Sequence, residues 1–142
     1  MRKKIAILGS TGSIGKSLIQ LIKKDKKNFI LFLLTANKNY KELLKQAYFF
    51  DVKNLIITDQ KSFDIVIKKK LKKKINIFNN FNAFEKIFIK KIDYTMSAIS
   101  GIEGLGPTCD IIKYTKVLAI ANKEAIICGW NIINKKLLKY KT

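Results

Sequence analysis

Gly9, Gly12 and Gly15 stand at a spacing that builds an anion-binding corner, directly after the apolar run Ile5-Ala6-Ile7-Leu8. The strand-forming run ends at Gly9, and the turn beyond it is free to adopt positive φ at Gly9 and Gly12. An amphipathic helix follows, with Ile14, Leu18 and Ile22 recurring on one face, Leu21 beside them, and Gln20, Lys23 and Lys24 largely opposite. A helix opening there points its unpaired N–H groups into the crevice. The diphosphate of a dinucleotide would gain hydrogen bonds and a helix-dipole term of about 0.3–1 kcal/mol. Gly15, one turn in, lets helix and strand approach closely, as the third glycine of a nucleotide fingerprint does. The pattern G-x-x-G-x-x-G is longer at its front than G-x-G-x-x-G, and a glycine triplet alone is weak. The strand before it and the helix after it supply the required context.

A second informative stretch closes the next apolar run, Phe29 to Leu34. It reads Thr35-Ala36-Asn37-Lys38-Asn39 and contains no acid. NAD-binding proteins commonly place Asp or Glu there, about 20 residues past the glycines, to accept from the ribose 2′-hydroxyl. A carboxylate would repel a 2′-phosphate, whereas Lys38 would pair with one. Such a charge-assisted contact is worth about 1.5–3 kcal/mol, or about 10- to 150-fold in affinity. These residues favour NADP over NAD.

Apolar runs of strand length alternate with helical periodicity throughout. Strands are expected at Ile5–Leu8, Phe29–Leu34, Leu55–Thr58, Ile75–Phe78, Tyr94–Ile99 and Val117–Ala121. Helices are expected after the first glycines, over Tyr40–Phe50, Ser62–Leu71, Phe81–Ile89 and Pro107–Tyr114, and from Glu124 through Leu138. Repeated βα units predict an α/β fold, a Rossmann-like doubly wound and mostly parallel sheet. Ligands of such sheets lie beyond the carboxyl ends of the strands, which singles out residues 9–15, 35–39 and 121–124.

Composition narrows the function further. A chain of 142 residues with 48% hydrophobic residues fits one folded domain. No apolar run approaches the 18 or so residues of a membrane span, and Gly9–Ser13 interrupts any signal-peptide core, so a cytoplasmic protein with no membrane partner is expected. The 29 Lys and Arg against 10 Asp and Glu give a formal charge of +19. Nearly all the cations are lysine, accompanied by abundant Ile, Asn and Phe, four residues that share A/T-rich codons. Base composition accounts for the excess, and no specific nucleic-acid partner is expected; Lys68–Lys70 and Lys72–Lys74 read as a solvated helix end and loop. With no histidine, Ser-His-Asp and Cys-His catalysis are excluded within these residues. Cys109 and Cys128, without C-x-x-C spacing, read as buried inert thiols in a reducing compartment. Two rival readings are another NADP-dependent Rossmann oxidoreductase domain and a basic nucleic-acid-binding domain. The first lacks a Tyr-x-x-x-Lys pair, and the second lacks arginine forks or an aromatic-basic platform.

Three stretches carry a family resemblance: Leu8-Gly9-Ser10-Thr11-Gly12-Ser13-Ile14-Gly15, Ser97-Ala98-Ile99-Ser100-Gly101-Ile102-Glu103-Gly104-Leu105-Gly106-Pro107-Thr108, and Ala121-Asn122-Lys123-Glu124. In order and separation they resemble 1-deoxy-D-xylulose 5-phosphate reductoisomerase over essentially the full chain. The resemblance implies that residues 1–142 are the N-terminal NADPH-binding domain, with the catalytic and C-terminal domains absent from this chain. It implies NADPH contacts at Thr11, Gly12, Ser13 and Ile14, at Asn37, Lys38 and Asn39, and at Asn122 and Glu124, with Lys123 reaching the substrate. Asn37 replaces a family glycine, and asparagine tolerates positive φ well enough to keep the turn. The family rearranges 1-deoxy-D-xylulose 5-phosphate and reduces the product with NADPH to 2-C-methyl-D-erythritol 4-phosphate, for isoprenoid biosynthesis. Its Mg²⁺ or Mn²⁺ is held by an Asp-Ser-Glu motif that this sequence does not contain, so no catalytic or metal-binding residue is assigned here. Nucleotide binding without turnover is expected of this chain, and homodimers of full-length family members.

Overall fold

A computed structural model describes residues 1–71 and 73–142. Six strands form one sheet: β1 (Lys3–Leu8), β2 (Phe29–Ala36), β3 (Asn54–Ile57), β4 (Asn76–Phe78), β5 (Tyr94–Ser97) and β6 (Leu118–Ile120). Their order is β4-β3-β2-β1-β5-β6 and every pairing is parallel. The chain therefore runs outward from β1 to β4, returns, and restarts at β5 beside β1. Ile5 pairs with Tyr94 and Leu8 with Ser97 on one side, while Ile7 pairs with Leu34 on the other. The order reverses at β1, and that reversal opens a crevice above the ends of β1 and β5.

Alternation along β1 sends Ile5 and Ile7 to one face and Ala6 and Leu8 to the other, all buried. Helices α1 (Ser13–Lys24), α2 (Tyr40–Phe50) and α3 (Gln60–Ile67) cover the first face through Ile19, Ile22, Leu43, Ala47 and Val66. The short α4 (Phe84–Ile87) and α5 (Leu105–Ile111) cover the second with Phe84, Ile87 and Ile111. The long α6 (Lys123–Tyr140) packs through Ala125 and Ile133 against Cys109 and Ile112. Among the described residues no helix is long and apolar enough to cross a membrane.

Several local expectations are corrected. The core stripe of α1 is Gly15, Ile19 and Ile22; Ile14 is 45% exposed, Leu21 is 62% exposed and Leu18 is half-buried. Close packing at Gly15 turns that face of the helix to the sheet and leaves Ile14 exposed. Helix α3 stops at Ile67, where its buried stripe has ended at Val66 and Ile67 itself is 52% exposed. Those three lysines are exposed, and Lys73 pairs with Asp51 at 3.1 Å; Lys72 lies outside the described residues. The Phe81–Ile89 segment is a 3₁₀ turn followed by four α-helical residues; the chain then extends so that Phe88 is buried while Ile89 is exposed. Cys109 is buried, and its burial pushes the thiol pKa up, but Cys128 is exposed. Helix α6 buries only Ala125, Gly129 and Ile133, a stripe too narrow to include Cys128.

Among the glycines, Gly15 meets the nearest backbone. A Cβ there would run into the carbonyl oxygen of Gly9 and lie 2.6 Å from Ser10 Cα, with backbone that cannot give way. We expect Gly15→Ala to destabilise the domain by about 1–3 kcal/mol or more, measured as a fall in thermal midpoint by circular dichroism.

Candidate functional site

The crevice at the strand reversal is a cavity of about 580 Å³, within the range of a cofactor site. Its floor is the first glycine corner. Gly9 has φ 81°, and a Cβ on it would lie 2.8 Å from the Ala98 carbonyl oxygen, so β1 and β5 come this close only at a glycine. Gly12 does not have the expected positive φ; at φ −75° and ψ 174° it is extended backbone and the N-cap of α1. A Cβ there would touch nothing nearer than Gly9 O at 3.5 Å. What the residue contributes is bareness. No side chain caps α1, and the N–H groups of Ser13, Ile14 and Gly15 in its first turn meet no acceptor among the described residues. Thr11 and Gly12 line the cavity, and the exposed Ser13 and Ile14 begin the helix beside it.

The corner is held from the adjoining strand. Gly9 N–H donates to Thr35 Oγ1 at 2.9 Å, and Ser10 N–H donates to the Thr35 carbonyl at 2.9 Å. Thr35 is buried and lines the cavity together with Ala36 and Asn37. Asn37 Nδ2 donates to Thr58 Oγ1 at 2.9 Å, which ties the ends of β2 and β3 together. Its φ is not in the left-handed region, where the only non-glycine residues among those described are Asp51 and Lys141. The expectation that Asn37 keeps a positive-φ turn is thus corrected, and asparagine fits this position without strain. Asn39 caps α2, its Oδ1 accepting from Glu42 N–H at 3.3 Å. Lys38 has its carbonyl held by Tyr40 N–H and Ser62 Oγ, leaving an exposed residue at the cavity's edge with no acid in residues 35–39.

The far wall comes from the segment after β5, where Ala98, Ile99, Ser100 and Glu103 line the cavity. Asn122 holds this wall in place. It is buried, its Nδ2 donates to the carbonyls of Ile99 and Gly101 at 2.6 Å each, and its Oδ1 accepts from Ala125 N–H at 3.0 Å as the cap of α6. Gly104 makes room for it, because a Cβ there would collide with Asn122 Nδ2. Gly101, at φ 77° and ψ −178°, takes a conformation open only to glycine. Thr108 Oγ1 donates to Gly104 O and shares a hydrogen bond with Ser97 Oγ, both at 2.6 Å. Lys123, exposed, and Glu124 open α6 immediately beyond; neither lines this cavity.

Of the residues singled out from the sequence, Thr11, Gly12 and Asn37 line the cavity; Ser13, Ile14, Lys38 and Asn39 adjoin those three in the chain. Asn122 acts behind the wall. Thr35 fell inside the 35–39 stretch without an assigned role, and Thr58, Phe81 and the lining role of residues 98–103 were passed over. The last was open to inference, since a strand beside β1 at the reversal must contribute its following loop. No three His, Cys, Asp or Glu among the described residues gather to hold a metal, so this part of the chain does not fit the expected Mg²⁺ or Mn²⁺.

Two predictions follow from this geometry. Replacing Asn122 by Ala removes a cap and leaves two carbonyls without their donor, so stability should fall by about 2–3 kcal/mol in urea denaturation. Asp59, the cap of α3, accepts from the backbone N–H of Ser62 at 2.9 Å, with the Ser62 hydroxyl, Lys38 and Lys61 nearby; these hold its carboxyl below the ordinary 3.8. A lowered folded value means the contribution is full above the ordinary value and is lost as pH falls through the folded one. Asp59→Ala should therefore lower the thermal midpoint at neutral pH and flatten its decline below about pH 4.

Comparison with known proteins agrees with this arrangement. The family model for 1-deoxy-D-xylulose 5-phosphate reductoisomerase matches residues 5–129. The chain is 62% identical over 142 residues to the enzyme of that name from Pelagibacter ubique (strain HTCC1062), covering 99% of this chain and 37% of that protein. It is 36% identical over 135 residues to the one from Wolbachia pipientis wMel, covering 94% of this chain and 34% of that protein. The solved structure of the reductoisomerase from Zymomonas mobilis in complex with NADPH superposes with a TM-score of 0.90 at 27% identity, covering 100% of this chain and 38% of that one. This chain thus spans little more than a third of the length of the curated relatives it matches. On the match over residues 5–129, it belongs to the 1-deoxy-D-xylulose 5-phosphate reductoisomerase family.

Proposed function

We propose that residues 1–142 form the N-terminal NADPH-binding domain of a 1-deoxy-D-xylulose 5-phosphate reductoisomerase. The observation that carries this reading is the uncapped N-terminus of α1 opening into a cavity at the strand reversal. The fit to a dinucleotide rests on three features. Bare backbone at Gly12 and the free first-turn N–H groups suit a diphosphate. The acid-free stretch 35–39 with exposed Lys38 suits a 2′-phosphate. The walls of Ala36, Ala98 and Ile99 offer apolar surface to flat rings. Bound NADPH would supply a hydride to the substrate-derived aldehyde.

In this reading Thr11, Gly12, Ser13 and Ile14 hold the diphosphate, and Asn37, Lys38 and Asn39 surround the adenosine ribose. Asn122 orders the wall and Glu124 borders the nicotinamide end. Lys123, exposed at the start of α6, meets the anionic sugar phosphate through a charge-assisted contact. In this reading a full-length member of the family converts 1-deoxy-D-xylulose 5-phosphate to 2-C-methyl-D-erythritol 4-phosphate as a cytoplasmic homodimer with Mg²⁺ or Mn²⁺, and the 142-residue chain binds the nucleotide without turnover.

Calorimetry of the 142-residue chain at physiological salt tests this directly. Saturable heat with NADPH and weaker binding of NADH are expected, and Lys38→Ala should weaken NADPH about 10-fold or more while leaving NADH nearly unchanged. A folded chain that releases no heat with NADPH, or that oxidises it when the sugar phosphate is added, contradicts the reading.

A further inference from the structure

We propose that Gln46, on α2 and outside the cavity, is a positioning residue that aims the Thr11 N–H at the nucleotide's diphosphate; this rests on the cofactor reading above. Gln46 is 4% exposed, on a helix whose other buried residues, Leu43, Leu44 and Ala47, are all apolar. Its Nε2 donates to the Ser10 carbonyl at 3.1 Å and to Glu42 Oε1 at 3.4 Å. Its Oε1 is buried without a hydrogen-bond partner among the described residues. A buried acceptor left unpaired is costly, and a methionine would fill the same space without that cost. What methionine lacks is the donor to Ser10.

The consequence follows from peptide geometry. The Ser10–Thr11 peptide is trans and planar, so its C=O and N–H point in opposite directions. With the oxygen fixed toward Gln46, the Thr11 N–H points away from α2. Thr11 lines the cavity, and its N–H meets no acceptor among the described residues. Thr35 holds the other end of Ser10, accepting from its N–H at 2.9 Å and its hydroxyl at 3.3 Å. The loop is thus gripped on both sides of one residue. Without the Gln46 donor the peptide is free to turn over, which would present a carbonyl oxygen to an anion in place of an N–H.

The test compares wild type with Gln46→Met, an exchange of similar volume that removes only the hydrogen bonding. Each protein is titrated with NADPH and with adenosine 2′-monophosphate, which has the 2′-phosphate but no diphosphate. Affinity for NADPH should fall about 3- to 10-fold, with adenosine 2′-monophosphate binding unchanged and the NADPH-induced shift of the Thr11 amide resonance reduced. Unchanged NADPH affinity, or an equal loss for both ligands, overturns the proposal. Should Gln46→Met fail to fold, wild-type NMR decides. Slowly exchanging Gln46 Nε2 protons and a Thr11 amide among the most strongly shifted by NADPH support the role, and rapid exchange overturns it. A folded wild type that takes up no NADPH overturns the cofactor reading instead, while the exchange of the Nε2 protons in the free protein still reports whether Gln46 grips Ser10.

Discussion

The contact between the Gly9 carbonyl and the bare α-carbon of Gly15 sets the geometry of everything around it. It brings the first turn of α1 down onto the end of β1, closer than any side chain would permit. That proximity rolls the helix onto Ile19 and Ile22, lifts Ile14 out of the core, and leaves the first-turn N–H groups facing the crevice. Gly9 performs the matching task toward β5, where the Ala98 carbonyl occupies the space a Cβ would need. Two absent side chains therefore place three elements around one point.

Around that point the polar side chains mostly bind backbone. Thr35 holds Gly9 and Ser10, Asn122 holds Ile99 and Gly101, Thr108 holds Gly104, and Asn37 reaches across to Thr58. Loops lack the regular ladders that satisfy main-chain groups in strands and helices, so a cavity made from loop ends needs such substitutes. The arrangement separates two duties. Backbone N–H groups are left for a ligand, while buried threonine and asparagine side chains keep the loops in register. The shared Ser97–Thr108 hydroxyl bond extends this bracing from the end of β5 into α5.

The sheet was legible because β1, β2 and β3 carry continuous apolar runs, as parallel strands covered on both faces tend to, although β5 (Tyr94-Thr95-Met96-Ser97) does not. The first corner was legible for a related reason, since Gly9 and Gly15 answer to steric demands that only glycine meets. Helix ends were less so. The stop at Ile67 and the break after Ile87 depend on which apolar side chains find partners in three dimensions, and Ile67 and Ile89 look as hydrophobic in sequence as Val66 and Phe88. The face of α1 was misjudged because periodicity gives weight to large residues and none to a glycine that packs. Around the cavity, Thr35 and Gln46 were silent because their partners lie far away in sequence. The Asn122 motif was recognisable as a motif, but its hydrogen bonds to Ile99 and Gly101 became visible only once the loops were placed. Cys128 shows the converse: a residue type that is usually buried lies outside a stripe only three residues deep.

The central position of β1 has a kinetic corollary. Its pairing with β2 joins segments close in the chain, but its pairing with β5 joins Ile5 to Tyr94. Contacts of such long separation close slowly, because the loop entropy is lost before the strand ladder compensates for it. During synthesis from the N-terminus, the glycine turn is made early and must wait for Ala98 and its neighbours before a complete nucleotide cradle exists. Until then β1 presents one open edge, a site for pairing with the wrong strand.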